Sequence, residues 1–275
     1  VIRRAIPASG ELLPAVGLGT WPVFDVGADE RARAPLRQVV RHLVAAGGGM
    51  IDTSPMYGRA EAVTGDLVAE AGVRERVFLA TKVWTSGREA GIAQMARSAA
   101  LLKTPVIDLI QIHNLVDWRT HLATLRAMKE RGEVRYIGIT HYTAGALPRL
   151  AEIVAAEPGI DFVQFGYSLA AREAETRLLP LCAERGVATI ANQPLERGEL
   201  VRRLGRTPLP GWAAEFDCAS WAQLCLKYLI AEPALTCVIP ATGNPAHLAD
   251  NLAAGAGRLP DAAQRAAIRR LWDSR

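Results

Sequence analysis

Apolar residues along the chain gather in short runs bounded by glycine and polar positions, and these runs alternate with stretches of helical periodicity. Strands are predicted at "AVGLGTW", "GGMIDTS", "VFLATKV", "VIDLIQIH", "RYIGIT", "FVQFGYS", "VATIANQPL" and "LTCVIPAT". Between them lie helix-like segments such as "EAVTGDLVAEAG", "EAGIAQMARSAALL", "HLATLRAMKERG", "ALPRLAEIVAAE" and "EAETRLLPLCAERG", several closing on glycine as helices often do. A hairpin is predicted ahead of them through "IPASGELLPAVGLG", with Ser9 and Gly10 at its turn. Strands apolar on both faces and alternating with helices imply a parallel sheet covered by helices. Eight such units in 275 residues predict an α/β fold, a (β/α)8 TIM barrel with an N-terminal β-hairpin, spanning residues 1–275 as one domain. A doubly wound sheet is the alternative, but "GLGTW" does not supply the glycine fingerprint that would follow its first strand. The stretch "ERGELVRRLGRTPLPGWAAEFDCAS", ahead of the predicted helix "WAQLCLKYLIAEP", reads as a long irregular loop of the kind that forms lids and binding segments.

Composition narrows the classes. Half the residues are hydrophobic and 22% are charged, as in a folded soluble protein. The net charge of +4 is spread over scattered arginines, which argues against a nucleic-acid partner. No apolar run approaches the length of a membrane span, so no membrane partner is expected. A cytoplasmic location is expected, with export as the alternative if a leader preceded Val1. Cys182, Cys218, Cys225 and Cys237 show neither a CxxC nor a metal-ligand spacing and are expected to be buried free thiols, with no metal bound.

In such a barrel the site lies at the C-terminal ends of the strands. Asp52 and Tyr57 follow the second predicted strand, Lys82 ends the third and His113 ends the fourth. These four make sense together as a proton-donating unit. A phenol titrates near ~10 and is a poor acid at neutral pH. A neighbouring ammonium is expected to lower that value, while a carboxylate keeps the lysine charged and oriented. A histidine can then hold a carbonyl oxygen against the phenol. Taken singly, Asp52 could be a helix N-cap, Tyr57 a rim aromatic and His113 a satisfied strand-end side chain. Lys82 is harder to explain away, because a lone lysine in an apolar strand needs a partner. A rival is a barrel metallohydrolase using Asp52, His113 and His141, although the first strand carries no HxH.

The blocks "GLGTW", "IDTSPMYG", "LATKVW", "DLIQIH", "VRYIGIT", "FVQFGYS" and "VIPATGNPAHLADNL" together resemble the aldo-keto reductases over nearly the whole chain. The resemblance implies a (β/α)8 barrel with a nicotinamide cofactor, usually NADPH, and a catalytic tetrad carried here by Asp52, Tyr57, Lys82 and His113; acceptance of NADH is a separate expectation from Ala241 and His247. It implies cofactor contacts from Gly19, Thr20, Trp21, Asp52, Gln164 and Leu195, with Thr242, Asn244, Asp250 and Asn251 on the adenosine side. Three places depart from the family pattern. Thr140 and His141 stand where Ser-Asn is common, and Asn192 stands where an aromatic ring often stacks on the nicotinamide. Ala241 and His247 stand where NADPH-preferring members frequently carry lysine and arginine; Arg202, Arg203 or Arg206 could supply charge instead. Trp21, Phe24, Tyr57, Trp84, His113 and Asn114 are the implied walls of a pocket for a small-molecule carbonyl substrate. The expected state is a monomer or weak homo-oligomer. The alternative function is a regulatory nicotinamide-binding subunit of the same fold with negligible turnover.

Overall fold

A computed structural model describes residues 1–274. The chain enters through the expected hairpin, in which β1 (Arg3–Ala5) runs antiparallel to β2 (Leu12–Pro14) with Arg3 opposite Pro14. Eight strands follow: β3 (Leu18–Gly19), β4 (Gly49–Asp52), β5 (Val77–Val83), β6 (Ile107–His113), β7 (Val134–His141), β8 (Phe162–Gly166), β9 (Ala188–Asn192) and β10 (Cys237–Val238). They pair in parallel and in chain order. Parallel bridges from Val16 to Val238 and from Gly19 to Ala241 join the last strand to the first and close the barrel. A side chain at Gly19 would put a Cβ 2.8 Å from the Ile239 carbonyl oxygen, so that closure requires glycine there.

Helices pack around the strands: α1 (Glu30–Ala45), α2 (Ala60–Ala71), α3 (Arg88–Leu101), α4 (Trp118–Glu130), α5 (Leu147–Ala156), α6 (Leu178–Arg185), α7 (Glu199–Leu204), α8 (Trp221–Ile230), α9 (Pro245–Ala253) and α10 (Ala262–Asp273). The barrel interior holds Met50, Phe78, Leu109, Tyr136, Phe162, Ile190 and Ile239, sealed at the hairpin end by Ile6 and Leu13. Because side chains alternate along a strand, the same inner face continues upward to Asp52, Lys82, Gln111, His113, Thr140, Gln164 and Asn192. The interior therefore turns from apolar to polar along its axis.

Two segments differ from the sequence expectation. Residues 196–220 are not an irregular loop, because they contain α7 and 3-10 turns at Glu196–Gly198 and Gly211–Phe216. Leu200, Leu204, Ala213 and Phe216 are buried, which anchors this region on the core. The buried Lys227 ammonium adds a tie, donating to the carbonyls of Phe216, Ala256 and Arg258. In "EAETRLLPLCAERG" the helix starts only at Leu178, and Glu175 instead accepts hydrogen bonds from Tyr167, Tyr228 and Arg265. The four cysteines are free and buried. Among the described residues no helix is long and apolar enough to cross a membrane.

Candidate active site

Asp52 is the last residue of β4, and the chain then turns through Thr53 and Ser54 to bring Tyr57 back over the barrel mouth. Gly58 makes this turn feasible. It has a left-handed φ of 61°, and a Cβ there would lie 2.4 Å from the Asp25 carboxylate, which accepts the Arg59 amide. Thr20 secures the other side, since its amide and its hydroxyl both donate to the Asp52 carbonyl oxygen.

Lys82 has no solvent exposure, and its Nζ donates to Asp52 Oδ2 at 2.7 Å and to the Thr53 carbonyl at 2.8 Å. The same Nζ lies 5.0 Å from the centroid of the Tyr57 ring. Burial pulls the Lys82 ammonium down, but the Asp52 carboxylate and Tyr57 outweigh it, and the group titrates above the ordinary lysine value. The other Asp52 oxygen, Oδ1, accepts from Gln164 Nε2 at 3.0 Å and from Gln111 Nε2 at 3.4 Å. Both acid oxygens are thereby fixed.

Lys82 lowers the Tyr57 titration as expected, but its pull is outweighed. Burial raises it and dominates; Lys82 pulls it down and Asp52 pushes it up again, so the phenol lies above its ordinary value. Desolvation of the phenolate is the physical reason, and it keeps the proton on Tyr57 in the resting protein. His113 meets the Tyr57 ring edge-on at 5.9 Å between centroids. Burial, followed by the charge of Lys82, pushes His113 down to about 3, which makes it a neutral imidazole.

Thr140, Gln164 and Asn192 lie on adjoining strands. Thr140 Oγ1 donates to Gln164 Oε1 at 3.2 Å, so Gln164 is fixed at both ends of its amide. Among the described residues Asn192 Oδ1 and Gln111 Oε1 are buried acceptors without a hydrogen-bond partner, an arrangement that suits a ligand bringing N–H or O–H donors. His141 is half-buried, stacks on Tyr142 and accepts at Nδ1 from the Thr143 amide at 3.3 Å. A backbone amide can only donate, so that bond leaves the His141 ring proton on Nε2.

The remaining candidates are spread around the rim. Trp21 and Trp84 are exposed, the Arg197 guanidinium lies 4.6 Å over the Trp21 ring, and the Trp84 ring lies 6.3 Å from His113. Gln94 clamps the Trp84 backbone at both its amide and its carbonyl. Asn114 is half-buried with a left-handed φ of 52°, and Leu195 is half-buried. Phe24, expected as a pocket wall, is instead fully buried in the core that includes Leu36 and Val39. Asn244 caps the N-terminus of α9, Thr242 accepts the Asn244 amide, and His247 is exposed on the first turns of that helix. Asn251 is buried, and the Asp250 carboxylate is taken up by Ser220 and Gln223 at the start of α8. Ser54, Gln111 and Gln94 escaped the sequence reading. Gln111 had a signal, since it precedes His113 by two residues and so shares its face.

Of the rival metal ligands, Asp52 is engaged by Lys82, and among the described residues no three metal-binding side chains converge.

The sequence matches the model of the Aldo/keto reductase family over residues 15–273. It is 31% identical to an aldo-keto reductase of Mycolicibacterium smegmatis over 252 residues, 88% of this chain and 84% of that one. It is 30% identical to the methylglyoxal reductase YeaE of Escherichia coli over 263 residues, 91% of this chain and 89% of that one. Among solved structures, a Klebsiella pneumoniae aldo-keto reductase in complex with NADPH superposes with a TM-score of 0.84 at 25% identity, covering 99% of this chain and 95% of that one. A Klebsiella pneumoniae structure in complex with NADP and acetate gives 0.82 at 26% identity, covering 99% and 96%.

Proposed function

Because the chain belongs to the aldo/keto reductase family, we propose that it reduces an aldehyde or ketone to the alcohol with a nicotinamide cofactor, and that Tyr57 is the proton donor. NADPH is the cofactor of choice, supported by the solved relatives that hold NADP or NADPH. NADH is accepted as a second, since neither Ala241 nor the exposed His247 offers a permanent positive charge to a phosphate.

The observation that carries the reading is the Tyr57 ring 5.0 Å from the Nζ of the buried Lys82–Asp52 pair and edge-on to His113. A bound reduced cofactor would supply a hydride to the carbonyl carbon, and Tyr57 gives its proton to the carbonyl oxygen. Burial that keeps the phenol protonated at rest makes the donor available, and Lys82 stabilises the phenolate as it forms. Neutral His113 donates one hydrogen bond that holds the substrate oxygen against the phenol. The unpartnered Asn192 oxygen, with Thr140, His141 and Gln164, would hold the carboxamide end of the cofactor. Trp21 and Trp84 give the mouth apolar walls.

The test is oxidation of NADPH in the presence of a panel of aldehydes and ketones that includes methylglyoxal, for which one relative is named. Tyr57→Phe is expected to fold and bind cofactor while losing roughly 10²–10⁴-fold in turnover. Turnover within about threefold of the parent would remove Tyr57 from the acid role.

A further inference from the structure

We propose that Ser54 is a positioning residue that fixes the tautomer and ring orientation of His113, so that the ring presents Nε2–H to the substrate oxygen. The inference rests on the carbonyl-orienting role given to His113 above. It concerns a serine two residues beyond Asp52, in the turn rather than in a strand.

Ser54 has no solvent exposure, and its Oγ lies 3.0 Å from His113 Nδ1. The Met56 amide donates to the same Oγ at 3.2 Å, closing a local serine turn. That amide can only donate, so it occupies a lone pair of the hydroxyl and offers nothing to its proton. Among the described residues the acceptor within reach of the hydroxyl proton is His113 Nδ1. Were Nδ1 protonated instead, it would donate to Ser54 and leave a buried hydroxyl proton without a partner, an arrangement that costs free energy and is rare in folded proteins.

With Ser54 donating, Nδ1 is bare. Burial and the Lys82 charge keep the ring from taking a second proton. The single ring proton then resides on Nε2, the nitrogen that Ser54 leaves for a ligand. The opposite tautomer would turn a lone pair toward the lone pairs of the substrate carbonyl. Ser54 thus selects between a ring that attracts the substrate oxygen and one that repels it.

The experiment is nitrogen-15 NMR of the full chain at neutral pH, with the His113 ring signals assigned by their loss in His113→Gln. The parent is expected to show Nδ1 unprotonated and Nε2 protonated. Ser54→Ala is expected to move both ring nitrogens toward a mixture of tautomers. Its KM for an aldehyde is expected to rise roughly three- to tenfold with kcat within about threefold, as for loss of an orienting hydrogen bond. A parent spectrum with the proton on Nδ1 overturns the proposal whether or not the variant folds. So does a folded Ser54→Ala with unchanged shifts and unchanged KM. The shifts need no turnover, so absence of carbonyl reduction would remove the reductase reading while the spectrum still decides the role of Ser54.

Discussion

The Lys82 ammonium and the Asp52 carboxylate form a 2.7 Å ion pair in which both side chains are buried, inside the polar end of an otherwise apolar barrel. Neither strand would tolerate its charged residue alone. The pair is reinforced by the Thr53 carbonyl on the lysine and by Gln111 and Gln164 on the acid.

Lys82→Met should therefore cost stability as well as activity. Removing one member of a buried pair leaves an uncompensated charge and typically costs about 3–5 kcal/mol. Urea denaturation is expected to show a loss of that size, and aldehyde reduction is expected to fall by at least about a hundredfold. The double variant Asp52→Asn, Lys82→Met should recover part of the stability and none of the turnover. A double variant no more stable than Lys82→Met would mean that the carboxylate is not the source of the penalty.

His113 predicts an acid-side loss of stability. Its folded value is depressed to about 3 from the ordinary imidazole value of 6.5, so between those limits the unfolded chain binds the proton that the folded one refuses. Stability then falls as pH drops through that window, by up to about 1.4 kcal/mol per pH unit for this group. His141, lowered by burial, contributes in the same direction. Denaturation midpoints measured from neutral pH downward should fall less steeply for His113→Gln than for the parent. Equal slopes would place the acid sensitivity elsewhere.

Asn192 has a buried oxygen without a partner among the described residues, and the proposed cofactor role has that oxygen accept a ligand hydrogen bond. Asn192→Tyr is expected to weaken cofactor binding, read by fluorescence titration, by roughly three- to tenfold for one lost neutral hydrogen bond. Tighter binding would instead show that a stacking ring was missing.

His247 lies exposed on α9, whose N-cap is Asn244, and position 241 carries alanine. His247→Arg is expected to tighten NADPH selectively over NADH, since a charge-assisted contact to a phosphate contributes roughly 1.5–3 kcal/mol. Equal tightening of both cofactors, measured by parallel titrations, would mean that the new charge does not meet the extra phosphate.

Much of this protein was written locally. Apolar runs such as "VFLATKV" and "VIDLIQIH" determined the strands because a strand buried on both faces must be apolar throughout. Alternation with helical segments determined the parallel barrel, and a lysine and a histidine near the ends of apolar strands marked the end where the proposed site lies. Other properties depended on residues far apart in the chain. Whether Tyr57 titrates above or below an ordinary phenol is a contest between desolvation and the Lys82 charge, and only the packed mouth decides it. The bonds from Gln111 to Asp52 and from Ser54 to His113 each span 59 positions and exist only once strands are in register. Burial of Phe24 and the use of Asp250 to tie α9 to α8 were likewise set by packing. Sequence determines which side chains reach the barrel's end because strand periodicity is a local rule; tertiary structure decides what they do there because desolvation and hydrogen bonding depend on neighbours that only folding assembles.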